Sequence, residues 1–432
     1  MLIYVSDFQK LSTLNILNKN SLTHYPDNRQ FKISGYKKLL NDQAYLFALC
    51  CFLLMSSFGT AQAQIMDSES DTTSSEDERV GTSVAFVPAI GFNSDSGVSV
   101  GGLVQRADYG DGTTEPFNNF TKIRSLFSTK GRFILKIDFD VTKTFNSDIR
   151  SQFFFEALKF DEGVFTGIGN NTSFTRTEFD DDIFFFDERR IQLKYLARKR
   201  FTQLGERGFV DVFGSAQIAF SDPKSLKPET VFAQRQPPGA EGGWINWLGL
   251  GFIVDSRDSE FNPTTGYFIQ AETSLADGFF GSDFNFGLFE IDIRSFKGIV
   301  PNLVFAQRLQ IEHVTGDAPF WELADLGNDE SLRGFIEDRF IGDSSISTIN
   351  ELRAWLFDVD VFGVDLKIGS QLFLDAGRIY SNNDPNKIFE DWKKTFGGGV
   401  AFSAFSPDFI ARIELGKSDE ISRVYFSSSY SF

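Results

Sequence analysis

Residues equipped for chemistry are sparse in this 432-residue chain. Beyond its leader it has one histidine, His313, in "IEHVTGD". A histidine can activate a serine as nucleophile only when the two sit within hydrogen-bond reach. No serine lies close to it in sequence, although Ser331 or another could approach through the fold, so His313 reads as a strand-end residue. The cysteines Cys50 and Cys51 share one apolar run, and with a single histidine they leave no ligand set for zinc. Asp180, Asp181 and Asp182 could attract a divalent cation, but a solvated acidic loop is the simpler reading. "GIGNN" (Gly167 to Asn171) has glycines without the helix a phosphate-binding loop needs, and reads as a turn. No catalytic residue, metal or cofactor is expected. What remains is "SLRGFIEDRF", Ser331 to Phe340. Arg333, Glu337, Asp338 and Arg339 make it too charged for an ordinary buried strand, and Gly334 interrupts a helix. Leu332, Phe335, Ile336 and Phe340 make it too apolar for a loop lying free in water.

The elements that must position this stretch follow from bulk properties and pattern. A net charge of -17 argues against a nucleic-acid partner bound through a basic surface. The run "AYLFALCCFLLM" follows Lys37 and Lys38 and precedes Ala61 and Ala63, the basic, apolar, small order of a secretory signal peptide. It is too short to span a membrane as a helix. The expected organisation is an N-terminal extension (1–36), a signal peptide (37–63), an acidic disordered leader (64–80) and a folded domain (81–432). Cleavage after Ala63 would leave a mature chain without cysteine, hence without disulfides.

Beyond Gly81 the dominant signal is period two. In "GRFILKIDFDVT", Phe133, Leu135, Ile137, Phe139 and Val141 point one way, and Arg132, Lys136, Asp138 and Asp140 the other. Leu248, Leu250, Phe252 and Val254 alternate with Gly249, Gly251 and Asp255. Strands are expected over 82–91, 96–106, 119–129, 131–142, 148–160, 182–199, 208–220, 244–255, 266–276, 284–297, 301–314, 346–358, 363–377, 395–404, 408–416 and 422–432. A phase switch between Leu288 and Phe289 suggests a bulge. The long connections, 161–181, 221–243, 315–345 and 378–394, all fall on one end of the array. Long outside loops and short inside turns are the rule for outer-membrane barrels, although the turns near 107–118 and 256–265 run long. The expected fold is all-β, a sixteen-stranded antiparallel transmembrane β-barrel, since a closed barrel satisfies every backbone group in lipid. A soluble β-sandwich would also alternate, but fits less well with so many strands and so many phenylalanines on one face. "VYFSSSYSF" ends in an alternating set, Phe426, Tyr430 and Phe432, that resembles the signal read by the barrel-assembly machinery.

On these residues the chain resembles the BamA/TamA family, the superfamily of outer-membrane insertases and two-partner-secretion barrels also called bacterial surface antigens. Leu332, Arg333, Gly334 and Phe335 match the Arg-Gly-aromatic tip of the family's sixth extracellular loop, which folds into the lumen. "NELRAWLF" supplies Glu351 and "FLDAGRIY" supplies Asp375, the acids that the resemblance assigns to the loop arginine. "DSRDSEFNPTTGYF", with Asp255, Arg257, Asp258, Pro263 and Gly266, is similar to another family segment. The resemblance implies a Gram-negative outer-membrane location and a role in protein insertion or translocation, not an enzyme. Lipid, lipopolysaccharide and the barrel-assembly machinery are the implied partners. The family's POTRA domains have no room in residues 64–81, so a separate periplasmic partner is an expectation. The alternative is a small-solute pore plugged by the loop, and a less favoured one is an outer-membrane hydrolase.

Overall fold

Alternation of apolar and polar side chains builds sheet here, and the two faces have the reverse of the usual polarity. On the outward face Phe86, Phe139, Leu248, Phe252, Leu372 and Leu374 are exposed, and Leu250 is 70% exposed. On the inward face Asp140, Glu156, Arg198, Asp211, Glu272, Glu351, Asp375 and Arg412 are buried. Water does not favour such a distribution, whereas lipid outside a polar lumen does. The computed structural model describes residues 80–432 except 94–96, 130, 362–363, 382–388, 404–409 and 429. The expectations for the extension, the signal peptide and the leader up to residue 79 lie outside the described residues.

Strands β1 (Gly81–Asn93), β2 (Gly97–Gly110), β3 (Asn119–Ser128), β4 (Phe133–Val141), β5 (Ile149–Val164), β6 (Phe185–Leu204) and β7 (Gly208–Ser221) are paired antiparallel in order. The two-residue β8 (Lys224–Ser225) adds to the end of β6. The series continues from β7 through β9 (Gly243–Asp255), β10 (Gly266–Ala276), β11 (Asn285–Val300) and β12 (Leu303–Asp317). A small separate pair, β13 (Ala324–Leu326) and β14 (Phe340–Gly342), lies inside the next connection. Then β15 (Ser344–Val361), β16 (Val364–Tyr380), β17 (Lys393–Ser403), β18 (Ile410–Lys417) and β19 (Ser422–Ser428) complete a 17-stranded sheet. Ala411 of β18 packs against the Ala85–Leu103 pair of β1 and β2, so the two ends of the series meet. Two short helices, α1 (Arg176–Asp180) and α2 (Val231–Arg235), sit in long connections. Among the described residues no helix is long and apolar enough to cross a membrane, which says nothing against crossing by strands.

Antiparallel pairing sends successive connections to alternate ends. One end, the loop end, carries 165–184, 222–242, 318–343 and 381–392. The other carries 205–207 and 301–302, together with the two longer turns, 111–118 and 256–265. Those two turns meet. Phe261 packs 5.6 Å from Phe120 and 6.3 Å from the buried Phe117. Arg150 on β5 forks both ways, donating to Asp140 at 2.8 and 2.7 Å and to Glu260 at 2.8 and 3.0 Å. Its guanidinium also lies 5.0 Å from the Phe117 ring. Burial alone would raise the Glu260 pKa, but Arg150, Arg198 and Arg257 overcome it and hold the carboxyl at about 2.

Two expectations are corrected. The Leu288–Phe289 phase switch is not a bulge: β11 keeps register there with both neighbours, and its irregularity lies between Gly298 and Val300. Phe286, which is buried, and Leu288 instead turn apolar groups inward, where they meet Ile245, Trp247, Val314 and Ala324 beneath the loop end. The lumen face itself becomes apolar at that level, so the sequence changes phase while the backbone does not. The last strand also stops short of 432. It ends at Ser428, and Tyr430 and Phe432 are buried. Arg353 lies 3.9 Å from the Tyr430 ring and 4.6 Å from the Phe432 ring, and Phe432 packs with Phe296, Ala306 and Ile349. Cation–π stacking and apolar contact inside the barrel outweigh continuation of the ladder.

Candidate functional site

The connection between β12 and β15 bonds to residues of β15, β16 and β18. Its small β13–β14 hairpin and the cluster Leu326, Leu332, Phe335, Phe340 and Ile379 give it an apolar core of its own. This packing fixes the backbone on both sides of Arg333, whose side chain is 0% exposed. Its Nε and Nη2 donate to the two oxygens of Asp375 on β16, at 2.9 and 2.8 Å. Nη1 donates to Glu351 on β15 at 2.5 Å and to Glu414 on β18 at 2.7 Å. The guanidinium lies 3.5 Å from the Phe373 ring centre. One cation thus ties the loop to three strands, with bidentate geometry toward one acid and stacking on an aromatic face.

The acids are not equally placed. Glu351 also accepts from Arg353 at 2.7 Å, and Glu414 from Arg412 at 2.6 Å. Every described hydrogen bond to Asp375 comes from Arg333, including one from its backbone N–H at 3.2 Å. Asp375 is therefore the partner that depends wholly on the loop.

Gly334 lets the loop approach the wall. Its φ is +107°, and a Cβ there would lie 2.8 Å from backbone atoms of Lys417. Its N–H donates to the Tyr425 hydroxyl at 2.7 Å, and its carbonyl accepts from Ser418 at 2.9 Å. Phe335 is buried and stands edge-on to Phe340 with ring centres 5.1 Å apart. The loop is thus bonded to the last hairpin, β18–β19, as well as to β15 and β16.

A second arginine of the same stretch was not singled out by sequence reasoning. Arg339 donates twice to Glu420 in the β18–β19 turn, at 2.7 Å each, and to Thr172 of the β5–β6 connection at 2.6 and 2.8 Å. Sequence spacing holds no signal for partners this remote. Glu414 and Tyr425 were missed as well, because each sits in an alternating strand like many others. The only hint for Arg339 was its presence in an apolar stretch.

Acids crowd the loop. Burial and the neighbouring Glu337 and Glu188 raise the Asp338 pKa to about 8. Burial, with Asp338 and Glu312 nearby, lifts Asp325 well above the usual range. Burial also lifts Glu322 to about 7. The loop is thus clamped by two arginines, while burial and mutual repulsion disfavour charge on its own carboxyls.

The remaining candidates fall elsewhere. His313 on β12 bonds Ser344 on β15 through Nδ1 at 2.7 Å, an exposed cross-strand pair. That is the ring's only described hydrogen bond. Ser331 is buried in the loop, bonded to Asn328 and Gly327. Asp180 pairs with Arg176 and Asp182 with Lys227, and the described residues hold no cluster able to bind a metal ion. Asp255 and Arg257 pair at 2.7 Å at the turn end, and Asp258 accepts from the Thr264 and Thr265 N–H groups. Phe426 lies in β19 opposite Ile413.

Residues 221–432 match the Omp85 superfamily domain. A comparison with curated proteins finds no match. Among solved structures, BamA from Haemophilus ducreyi lacking POTRA domains 1-3 aligns with a TM-score of 0.51 and 12% identity, over 81% of this chain and 70% of that one. CdiB from Escherichia coli aligns with a TM-score of 0.53 and 11% identity, over 81% of this chain and 62% of its own. CdiB from Acinetobacter baumannii gives a TM-score of 0.50 and 11% identity, over 81% and 59%. At these identities the likeness is one of fold, and this chain spans less than two thirds of either CdiB chain. The buried arginine, its three acids and the strands that carry them all lie within 221–432, the segment that matches the Omp85 superfamily domain.

Proposed function

We propose that the chain is a sixteen-stranded outer-membrane β-barrel that aids insertion or translocation of other proteins, with its loop end outside the cell. The observation that carries this reading is the Arg333 network, which joins one in-folded loop to β15, β16 and β18 and, through Gly334 and Tyr425, to the last strand. A plug that only blocked solutes would gain nothing from bonds to the final hairpin. A barrel whose last strand must be held or released in step with its loop would. Arg333, Gly334, Phe335, Glu351 and Asp375 act as the loop lock. Phe426, Tyr430 and Phe432 act during biogenesis as the signal for the barrel-assembly machinery. Outer-membrane lipid and lipopolysaccharide surround the wall, and a separate periplasmic partner supplies client contact.

The small-solute pore is the second reading, favoured by the charged lumen. The contact between the two longer turns, through Arg150, Glu260 and the Phe117–Phe120–Phe261 cluster, weighs against it, since it supports a narrowed mouth at that end. The test is reconstitution of the purified barrel in lipid vesicles. An unfolded outer-membrane client should fold faster with the barrel than in empty vesicles, and planar bilayers should show only small, irregular currents. No acceleration together with a steady ohmic current would overturn the insertase reading.

A further inference from the structure

At the loop end lies a surface cavity of about 340 Å³. It is walled by the β5–β6 connection from Ile168 to Ser173, by Arg235 at the end of α2, and by Ile379 and Ser381 at the end of β16. Its polar wall is built rigidly. Gly169 donates to Ile341 at 2.8 Å, Asn170 accepts from the Ile379 N–H at 3.0 Å and donates to the Asp391 carbonyl at 2.9 Å, and Arg339 holds Thr172 from behind. The segment is therefore shaped before any ligand arrives, which lowers the cost of binding.

Arg235 is an exposed cation of the wall. The buried and half-buried Arg150, Arg257, Arg308, Arg333, Arg339 and Arg412 each have a carboxylate within salt-bridge distance. Arg235 has none among the described residues. Gly167, at φ +107°, makes room for it, since a Cβ there would lie 2.9 Å from Nη1. The Ser173 and Ser381 hydroxyls, also in the wall, have no described partner either. At the rim Lys393 donates to Asn171 at 3.2 Å, and Asp391 accepts from the same side chain at 3.5 Å, so these two charges offset each other. A guanidinium, two hydroxyls and the Asn171 amide, the last already bonded to Lys393 and Asp391, therefore line one small space. On a chain of net charge -17, general attraction of anions does not account for it.

We infer that this cavity binds a sugar carrying a single anionic group, phosphate or carboxylate. Arg235 takes the anion through its planar fork. Ser173 and Ser381 take ring hydroxyls, which both donate and accept as serine hydroxyls do. The volume lies at the small end of ligand pockets, roughly 300–1,000 Å³, and suits one or two rings. The inference is independent of the insertion reading, because neither the loop lock nor the barrel's activity enters it.

The test uses the full barrel in detergent micelles, with calorimetric titration of glucose 6-phosphate, galacturonic acid, glucose and inorganic phosphate. At least one anionic sugar should bind more tightly than glucose and than phosphate. Arg235→Gln should weaken it about tenfold or more while leaving heat-resistant migration on gels unchanged. Co-flotation with vesicles containing lipopolysaccharide, against phosphatidylglycerol vesicles, separates the two sources. Flotation that depends on Arg235 and lipopolysaccharide supports a lipid-borne sugar, and its absence beside firm binding of the soluble sugar supports a free one. Equal binding by Arg235→Gln and the wild type would overturn the assignment, as would failure of both anionic sugars. Inorganic phosphate binding as tightly as the sugars would overturn the sugar-binding part.

Discussion

Three carboxylates surround one guanidinium, yet the structure makes their dependence on it unequal. Removing Arg333 leaves Glu351 with Arg353 and Glu414 with Arg412, but strips Asp375 of every described partner. Breaking a buried ion pair by removing one side costs about 3–5 kcal/mol, mostly through the charge left behind. Arg333→Ala should therefore loosen the 318–343 connection, seen as faster proteolysis there and a lower melting temperature in detergent, while the barrel still assembles. Asp375→Asn added to Arg333→Ala should recover part of the loss, because it removes the stranded charge. A double variant no better than the single would show that Asp375 is not the residue left exposed. The loop acids give a pH dependence of their own. Asp338, at about 8 in the fold, stays protonated over a range where the unfolded chain has ionised, from about 4 upward. Its contribution is full below that range and is lost as pH rises toward 8, so the loop should be best protected from hydrogen exchange in mild acid. Asp338→Asn should flatten that profile and tighten the loop at pH 8. Arg333, Glu351 and Asp375 stood out in the sequence because residue type, order and resemblance coincided, and the fold places the three in contact. Arg339, in the same ten residues, did not, because Thr172 and Glu420 lie far from it in sequence and in ordinary surroundings.

The elements were readable where apolar and polar side chains alternate along a strand, as in β4, whose Phe139 is exposed and whose Asp140 is buried. Alternation reports which side chains share a face. It misled where the inner face changes character. In β11 the inward set runs Phe286, Leu288, Glu290, Asp292, Arg294, and the switch from apolar to charged marks where the apolar packing beneath the loop end gives way to charged lumen. It also misled at the C-terminal end, where Tyr430 and Phe432 keep the alternating spacing but sit against Arg353 inside. This gives the last residues a place inside the fold, beside the assembly signal proposed for them. Phe432→Ala should reduce the heat-stable, fast-migrating form, since truncating a buried phenylalanine costs about 3–5 kcal/mol. Arg353→Met, which keeps bulk without the cation, should let assembly proceed but leave residues 430–432 open to carboxypeptidase. Resistance to digestion equal to that of the wild type would show that the stacking does not hold them.

Across the whole molecule, the alternation of connections makes a topological prediction. Tags at 222–242 should be reached by antibody on intact cells, and tags at 301–302 only after the outer membrane is breached; the opposite result would invert the proposed orientation. The turn-end contact then acquires a mechanical meaning. Arg150 on β5 and Phe117 before β3 grip a turn that joins β9 to β10, on a different arc of the wall. Such a link works as a tie beam. It resists flattening of the barrel into an ellipse at that rim, while the opposite rim is braced by a loop crowded with its own acids. Any breathing of the wall should therefore taper, wide at the loop end and nearly nil at the turn end. The beam weakens as pH falls from about 4.5 toward 2 and Glu260 takes up its proton. In strong acid the barrel should lose that stiffness before it loses its sheet.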